Sequence, residues 1–403
     1  MSETDIQLSS WAANISPSPT LAVDSKAKAM KAAGEDVCGF GAGEPDFDTP
    51  ERIKQAGIRA IEANDTHYTP VGGSNELKDA IITKMKRDSS LDYERNQILV
   101  SCGAKHSFYN LAQTLWEEGD EVIIPAPYWV SFPEMVGLAG AKAVIIDTDA
   151  TNNFKITVDQ IKEVLTAKTR AILINTPSNP TGFAYEKSEL EAIAEFALEN
   201  NLLMISDEIY EWIIFDDFKH TSIASLSSEA QKNCVVINGV SKCYAMTGWR
   251  IGYIAAPQWI AAACTKLQGQ FTSGASGISQ KATERAMQGG GSLSEDMKAA
   301  FLERRDMVVA GLKAIDGFEV NVPQGAFYIF PDVSALFGKS HPNGTIQSGQ
   351  DLSMYLLEAA DVATVGGDAF GSPNCIRISY AASEVQLQEA IRRIGKAIAE
   401  LSE

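Results

Sequence analysis

AILINTPSNPTGFAYEKSELEAIAEFALENNLLMISDEIY, residues 171–210, is the stretch that decides the fold. It opens on AILIN (171–175), apolar throughout rather than alternating, the pattern of a strand covered on both faces. SELEAIAEFALENN (188–201) then sets Leu190, Ile193, Ala194 and Ala197 on one helical face, with glutamates opposite. LLMISD (202–207) is a second apolar run, closed by an aspartate. Strand, helix, strand predicts a crossover unit and hence a parallel sheet. The texture continues both ways: QILVS (97–101), EVIIP (121–125) and KAVIID (142–147) precede it, and CVVIN (234–238) and IGYIA (251–255) follow. The chain therefore reads as α/β layers around a mainly parallel sheet, a class that places its sites at the carboxyl ends of strands.

Beyond the last run the texture changes. Residues 292–315 read as one long helix, with Ser292 or Ser294 available as its cap. AFYIF (326–330), CIRISY (375–380) and a final amphipathic helix are α+β in character. Pro17, Pro19, Pro45 and Pro50 give the N-terminal stretch the look of an arm plus a loop. These shifts predict an arm with part of a small domain over 1–48, a large domain over 49–305, and the rest of the small domain over 306–403.

Composition removes several functions. The 403 residues carry 34 Lys and Arg against 52 Asp and Glu, a formal charge of -18 that repels phosphate backbones and argues against nucleic-acid partners. No basic residue precedes Lys26, so a secretory signal is not expected. No apolar run approaches the ~20 residues of a membrane span. The six cysteines form no C-x-x-C pair, and the histidines at 67, 106, 220 and 341 show no zinc-ligand spacing. The expectation is a reduced, cytoplasmic protein without a metal or a membrane partner.

Gly39-Phe-Gly41-Ala-Gly43 approximates a dinucleotide fingerprint, but Glu44-Pro45 follows and no helix can open there. Four clusters at strand ends carry more. Gly103-Ala104-Lys105 follows a strand and starts a helical pattern, a setting in which free N–H groups suit a phosphate. Asn175 and Asn179 flank a proline-rich turn, which is a turn by default. Asp207, with Glu208 and Tyr210 after it, closes an apolar strand, where an unpaired carboxylate is costly unless it only caps the turn. Ser241-Lys242 follows CVVING, so burial can make Lys242 a nucleophile, and Arg250 can hold an anion in a bidentate fork. A phosphate, a ring nitrogen wanting a carboxylate, a phenolic oxygen wanting donors and an aldehyde wanting an amine describe one ligand, pyridoxal phosphate.

With these motifs the chain resembles the fold-type I pyridoxal-phosphate aminotransferases, specifically the bacterial-type (class Ib) aspartate aminotransferases. The likeness rests on SPSPTLAV (16–23), AGEPDFDTP (42–50), YTPVGG (68–73), PYWVSFPEM (127–135), NTPSNPTG (175–182), SDEIY (206–210), GVSKCYAMTGWRIGY (239–253), GAFY (325–328) and IRISYA (376–381). It implies a large domain with a seven-stranded sheet flanked by helices and a smaller α+β domain. It also implies roles. Lys242 binds the cofactor aldehyde and shuttles the substrate proton, Asp207 pairs with the pyridinium nitrogen, and Asn179 and Tyr210 donate to the ring hydroxyl oxygen. Trp129 stacks on the ring. Gly103, Ala104, Ser241 and Arg250 surround the phosphate, and Tyr68 reaches it from the other subunit of a homodimer with shared sites. Where some relatives carry a further phosphate-binding serine, this chain has Gly239.

Arg377, beside the backbone at Gly43, is implied to grip the α-carboxylate. Lys105, with Ser18 and Thr20 of the arm, is implied to take the side-chain carboxylate of a dicarboxylic substrate. A cation in the first turn of a helix opposes the helix dipole, so Lys105 is expected to have an anionic partner. The implied reaction moves an amino group between aspartate and 2-oxoglutarate, and close alternatives act on prephenate, aromatic amino acids or alanine. A cofactor-binding regulator is the non-catalytic alternative, and the chain has no room for the basic DNA-binding domain it would need.

Overall fold

A computed structural model of the chain describes residues 8–9, 13, 19–41 and 43–402. Strand β1 (Cys38–Gly39) is followed by β2 (Ile98–Ser101), β3 (Glu121–Ala126), β4 (Lys142–Asp147), β5 (Thr169–Asn175), β6 (Leu203–Asp207), β7 (Cys234–Gly239) and β8 (Gly252–Ala255). The last seven form one sheet in the order β2-β8-β7-β6-β5-β3-β4. Every pairing is parallel except those of β8, which runs antiparallel to both β2 and β7. All seven predicted runs are therefore strands of a single sheet.

Their continuous apolarity has a direct cause. Successive residues point to opposite faces, and both faces are covered. Ile123, Ile172, Ile174, Met204 and Val236 enter one core, while Val122, Ile124, Leu173, Ile205, Val235, Ile237 and Ile254 enter the other. Each such side chain contributes about 1.5–3 kcal/mol on leaving water. The helix Lys187–Glu199 buries the predicted face, Leu190, Ile193, Ala194 and Ala197, together with Phe196, and the Glu186/Glu189 capping box starts it.

The C-terminal part adds β9 (Tyr328–Ile329), β10 (Ser340–His341), β11 (Gly344–Thr345), β12 (Val362–Ala363), β13 (Val365–Gly366) and β14 (Ile376–Ser379). β13-β14-β9 form an antiparallel sheet, and β12 pairs with β1 in parallel. Main-chain bonds from Phe215 N–H to Gln324 C=O (2.9 Å) and from Ala326 N–H to Ile213 C=O (2.8 Å) tie the segment after β6 to the one that enters β9. Tyr328 and Arg377 are thereby brought to the loops after β6.

Two expectations are corrected. The N-terminal stretch is not only arm and loop, because Pro19–Ala32 is a helix. Its proline is the first helical residue, where no N–H is needed and the fixed φ is helical already. Ser294 stands at the N-cap of the long helix Glu295–Lys313 but does not cap it with its side chain, since its hydroxyl donates to the carbonyl of Cys243. Among the described residues no helix is long and apolar enough to cross a membrane.

Candidate active site

The carboxyl ends of β5, β6 and β7 lie side by side and the amino end of β8 joins them to the carboxyl end of β2, with Ser101 opposite Gly252, Gly239 opposite Gly252, and Asn175 opposite Asp207. A cavity of about 450 Å³ opens above them. Its lining includes Gly43, Ala104, Lys105, Trp129, Asn179, Asp207, Tyr210, Ser241, Lys242, Arg250 and Arg377. Eleven of the sequence-expected positions thus share one cavity.

One side is built for an anion. The helix Ala104–Leu115 starts after Gly103, whose φ of 93° is a conformation that favours glycine. A Cβ there would lie 2.4 Å from an Arg250 nitrogen, so only glycine lets the guanidinium cross the turn. Arg250 donates from Nη1 to Thr247 C=O at 2.8 Å. Helix start, Ser241 and Arg250 converge where a phosphate would sit.

At the floor, Asp207 is 6% exposed and accepts one bond, from Ile209 N–H at 3.1 Å. Burial pushes its pKa up to about 7, and Glu208 adds to the rise, against the Ile209 N–H and Lys242. Lys242 donates from Nζ to Gly43 C=O at 2.5 Å. Burial lowers its pKa to about 8, and Glu44 pulls the other way. A lysine near neutrality in a cavity holds a usable fraction of free amine.

Arg377 is 2% exposed, yet no carboxylate among the described residues pairs with it. Its Nη1 donates to Asn179 Oδ1 (2.8 Å), its Nη2 to Gly41 C=O (2.6 Å), and its buried Nε has no partner. The guanidinium lies 4.7 Å from the Tyr328 ring centroid and 4.9 Å from that of Phe370. A buried cation held by neutral groups is a receptor for an anion.

The other expected positions divide. Tyr68 is outside the cavity and 99% exposed. Ser18 lies outside the described residues, and Thr20 is in the first helix with its side chain outside them. Among the described residues no carboxylate pairs with Lys105, so the anionic partner expected of it is not found there. Its ammonium rests over the Trp129 ring, 4.9 Å from the centroid, where the π face offsets the dipole. Tyr210 donates to or accepts from Tyr328, with the two hydroxyls 2.9 Å apart. Gly239 is packed so that a Cβ would lie 2.9 Å from Ile251 C=O, so a serine there would need the backbone to shift.

Tyr328, Glu44, Thr247 and Asn175 line the cavity without having been assigned a role from sequence. Tyr328 ends the GAFY motif, and an aromatic inside a recognised motif was the available signal. Asn175 accepts from Asn179 N–H (2.8 Å) and donates to Asp207 C=O (3.1 Å), which fixes the turn between two strand ends. Glu208, Glu211 and His220 also converge, but their carboxylates are met by Ser206, Ser222, Lys84 and Asn238.

Residues 35–394 match the family model for aminotransferase class I and II. The chain belongs to that family. Aspartate aminotransferase of Bacillus sp. (strain YM-2) is 49% identical, over 95% of this chain and 96% of that protein. A Petunia hybrida protein named bifunctional aspartate aminotransferase and glutamate/aspartate-prephenate aminotransferase is 48% identical, over 98% of this chain and 84% of its own length. The crystal structure of aspartate aminotransferase from Rhizobium meliloti superposes with a TM-score of 0.95 at 42% identity, covering 98% of this chain and all of that one.

The protein is thus a pyridoxal-phosphate-dependent aminotransferase, and the cavity fits that cofactor. Gly103 leaves the space a Cβ would fill beside Arg250, Asp207 is a buried carboxyl with a single donor, and Lys242 is an amine near neutrality.

Proposed function

We propose that the enzyme transfers the amino group of L-aspartate to 2-oxoglutarate. The carrying observation is Arg377, a buried guanidinium without a carboxylate, facing the same cavity as Lys242 and Lys105. Bound pyridoxal phosphate supplies an aldehyde that takes up the amino group and a ring that accepts electrons from the substrate Cα. Lys242 holds and returns the Cα proton, Asp207 keeps the ring nitrogen protonated, and Asn179 and Tyr210 donate to the ring hydroxyl oxygen. Trp129 covers the ring, and Gly103, Ala104, Ser241 and Arg250 hold the phosphate. Arg377 orients the α-carboxylate against Gly43, while Lys105, with Ser18 and Thr20, takes the distal one. Prephenate also carries a second carboxylate, and the name of the Petunia relative keeps it as the alternative substrate.

Lys105→Ala tests the substrate. A charge-assisted bond worth roughly 1.5–3 kcal/mol predicts a fall in kcat/KM for aspartate and glutamate of about 10- to 150-fold, with alanine spared. Arg377→Ala should instead penalise every amino acid. Equal losses for alanine and aspartate in Lys105→Ala would assign the lysine to the phosphate or the fold.

The assembly we propose is a homodimer in which Tyr68, a fully exposed tyrosine in one chain, completes the phosphate site of the other. Tyr68→Phe should weaken cofactor retention in dialysis without changing the dimer mass by light scattering. Full activity in a proven monomer contradicts it. We also propose a large cofactor-binding domain over 49–305 and a small domain over 306–403 joined by part of 1–48. A cytoplasmic location is supported by six free cysteines.

A further inference from the structure

Seven Lys, Arg, Asp and Glu side chains line the cavity, and the proposed reaction employs all but two of them, Lys28 and Glu44. Glu44 is placed by two ties. Lys242 Nζ donates to the Gly43 carbonyl, which belongs to the very peptide unit that enters Glu44. Five residues past Lys242, Thr247 Oγ1 donates to Glu44 Oε2 at 2.7 Å. The lysine and the loop that follows it thus both grip one segment, and the carboxylate faces the cavity between them. We propose that Glu44, held by Thr247, is the counter-charge that sets the protonation of the Lys242 nitrogen, a positioning role for which Thr247 supplies the orientation.

The surroundings make a counter-charge necessary. Arg377 and Arg250 both disfavour a proton on Lys242, and Lys105 and Lys28 add positive charge to the lining. Tyr210 and Tyr328 bring no compensating charge, because burial raises both phenols. Asp207 is the other carboxylate in the lining, and its pull on Lys242 ranks below that of Glu44. In the reaction Asp207 is engaged by the ring nitrogen, which leaves Glu44 as the carboxylate of the lining not taken up by the cofactor. Glu44 is itself exposed, so its influence is screened and amounts to a fraction of what a buried pair would show.

The inference rests on Lys242 being the cofactor lysine, and the experiment separates the two. Borohydride reduction followed by peptide mapping reports which lysine holds the cofactor, while a spectrophotometric pH titration of the loaded protein reports protonation of that nitrogen. Glu44→Gln keeps an acceptor for Thr247 and removes the charge. Its titration midpoint should fall by about half a unit to one unit, with the label still on Lys242. Glu44→Asp should recover part of the shift. Thr247→Val keeps the charge but frees it, and should give a smaller fall. An unchanged midpoint in a folded, labelled Glu44→Gln protein overturns the proposal, as does a shift in Thr247→Val without one in Glu44→Gln. A label on another lysine would overturn the reading of Lys242 and the inference together.

Discussion

Lys242→Ala should bind pyridoxal phosphate and turn over at least about 10⁴-fold more slowly, because one side chain is both the nucleophile and the proton carrier. The wild-type amine is suited to both tasks. Burial brings its pKa down to about 8, so near neutral pH it offers more free base than an ordinary lysine and still returns a proton readily. Cofactor binding should survive, since Ser241, Arg250 and the helix start after Gly103 are separate from the amine. The wild-type protein should be yellow, and borohydride should fix the cofactor to Lys242. In the variant the covalent label should vanish while equilibrium dialysis still shows bound cofactor. A colourless wild-type protein that stays inert after pyridoxal phosphate is added would falsify the assignment.

Which parts of this site could be read from sequence follows from where each residue stands. Asp207, Asn175 and Lys242 end, or closely follow, strands whose two buried faces make them apolar throughout, so the run itself points to its last residue. Arg377 was legible only through its motif. The strand around it is short, and its burial comes from Tyr328 and Phe370, which are distant in sequence from one another. Glu44 lies inside the AGEPDFDTP motif, but its tie to Thr247 spans 203 residues and could not be read from the motif. Lys105 was legible as a cation in an unfavourable position, but sequence could not show that an indole rather than a carboxylate receives it. The first helix was masked by its own proline, since the residue that breaks a helix interior is the one that suits its first turn. Ser294 shows the converse: a residue in the right place for a cap whose hydroxyl is drawn off by a tertiary acceptor.

Asp207→Asn should cost activity and raise the stability of the cofactor-free protein, two effects with one cause. The carboxyl is 6% exposed, has one N–H donor and lies beside the charge of Glu208, so its pKa rises from 3.8 to about 7. A carboxyl that holds its proton more tightly when folded makes its full contribution to stability below the unfolded pKa. That contribution is lost as pH rises through the folded pKa, so the penalty builds between about pH 4 and pH 7 and totals roughly 4 kcal/mol. Asparagine does not ionise and can still accept from Ile209 N–H. The melting temperature of the cofactor-free variant should therefore gain on wild type between pH 5 and pH 8. Adding pyridoxal phosphate at pH 8 should reverse the ranking, because the ionised Asp207 then meets a ring cation that asparagine cannot neutralise. Without that carboxylate nothing would hold a proton on the ring nitrogen of bound pyridoxal phosphate, and the ring would accept electrons from the substrate Cα less well, for a fall in kcat of about 10²- to 10³-fold. The idea sinks if the variant melts lower than wild type at pH 8 without cofactor, or if it keeps wild-type turnover. Either result would mean that Asp207 is a structural cap whose charge the fold itself accommodates.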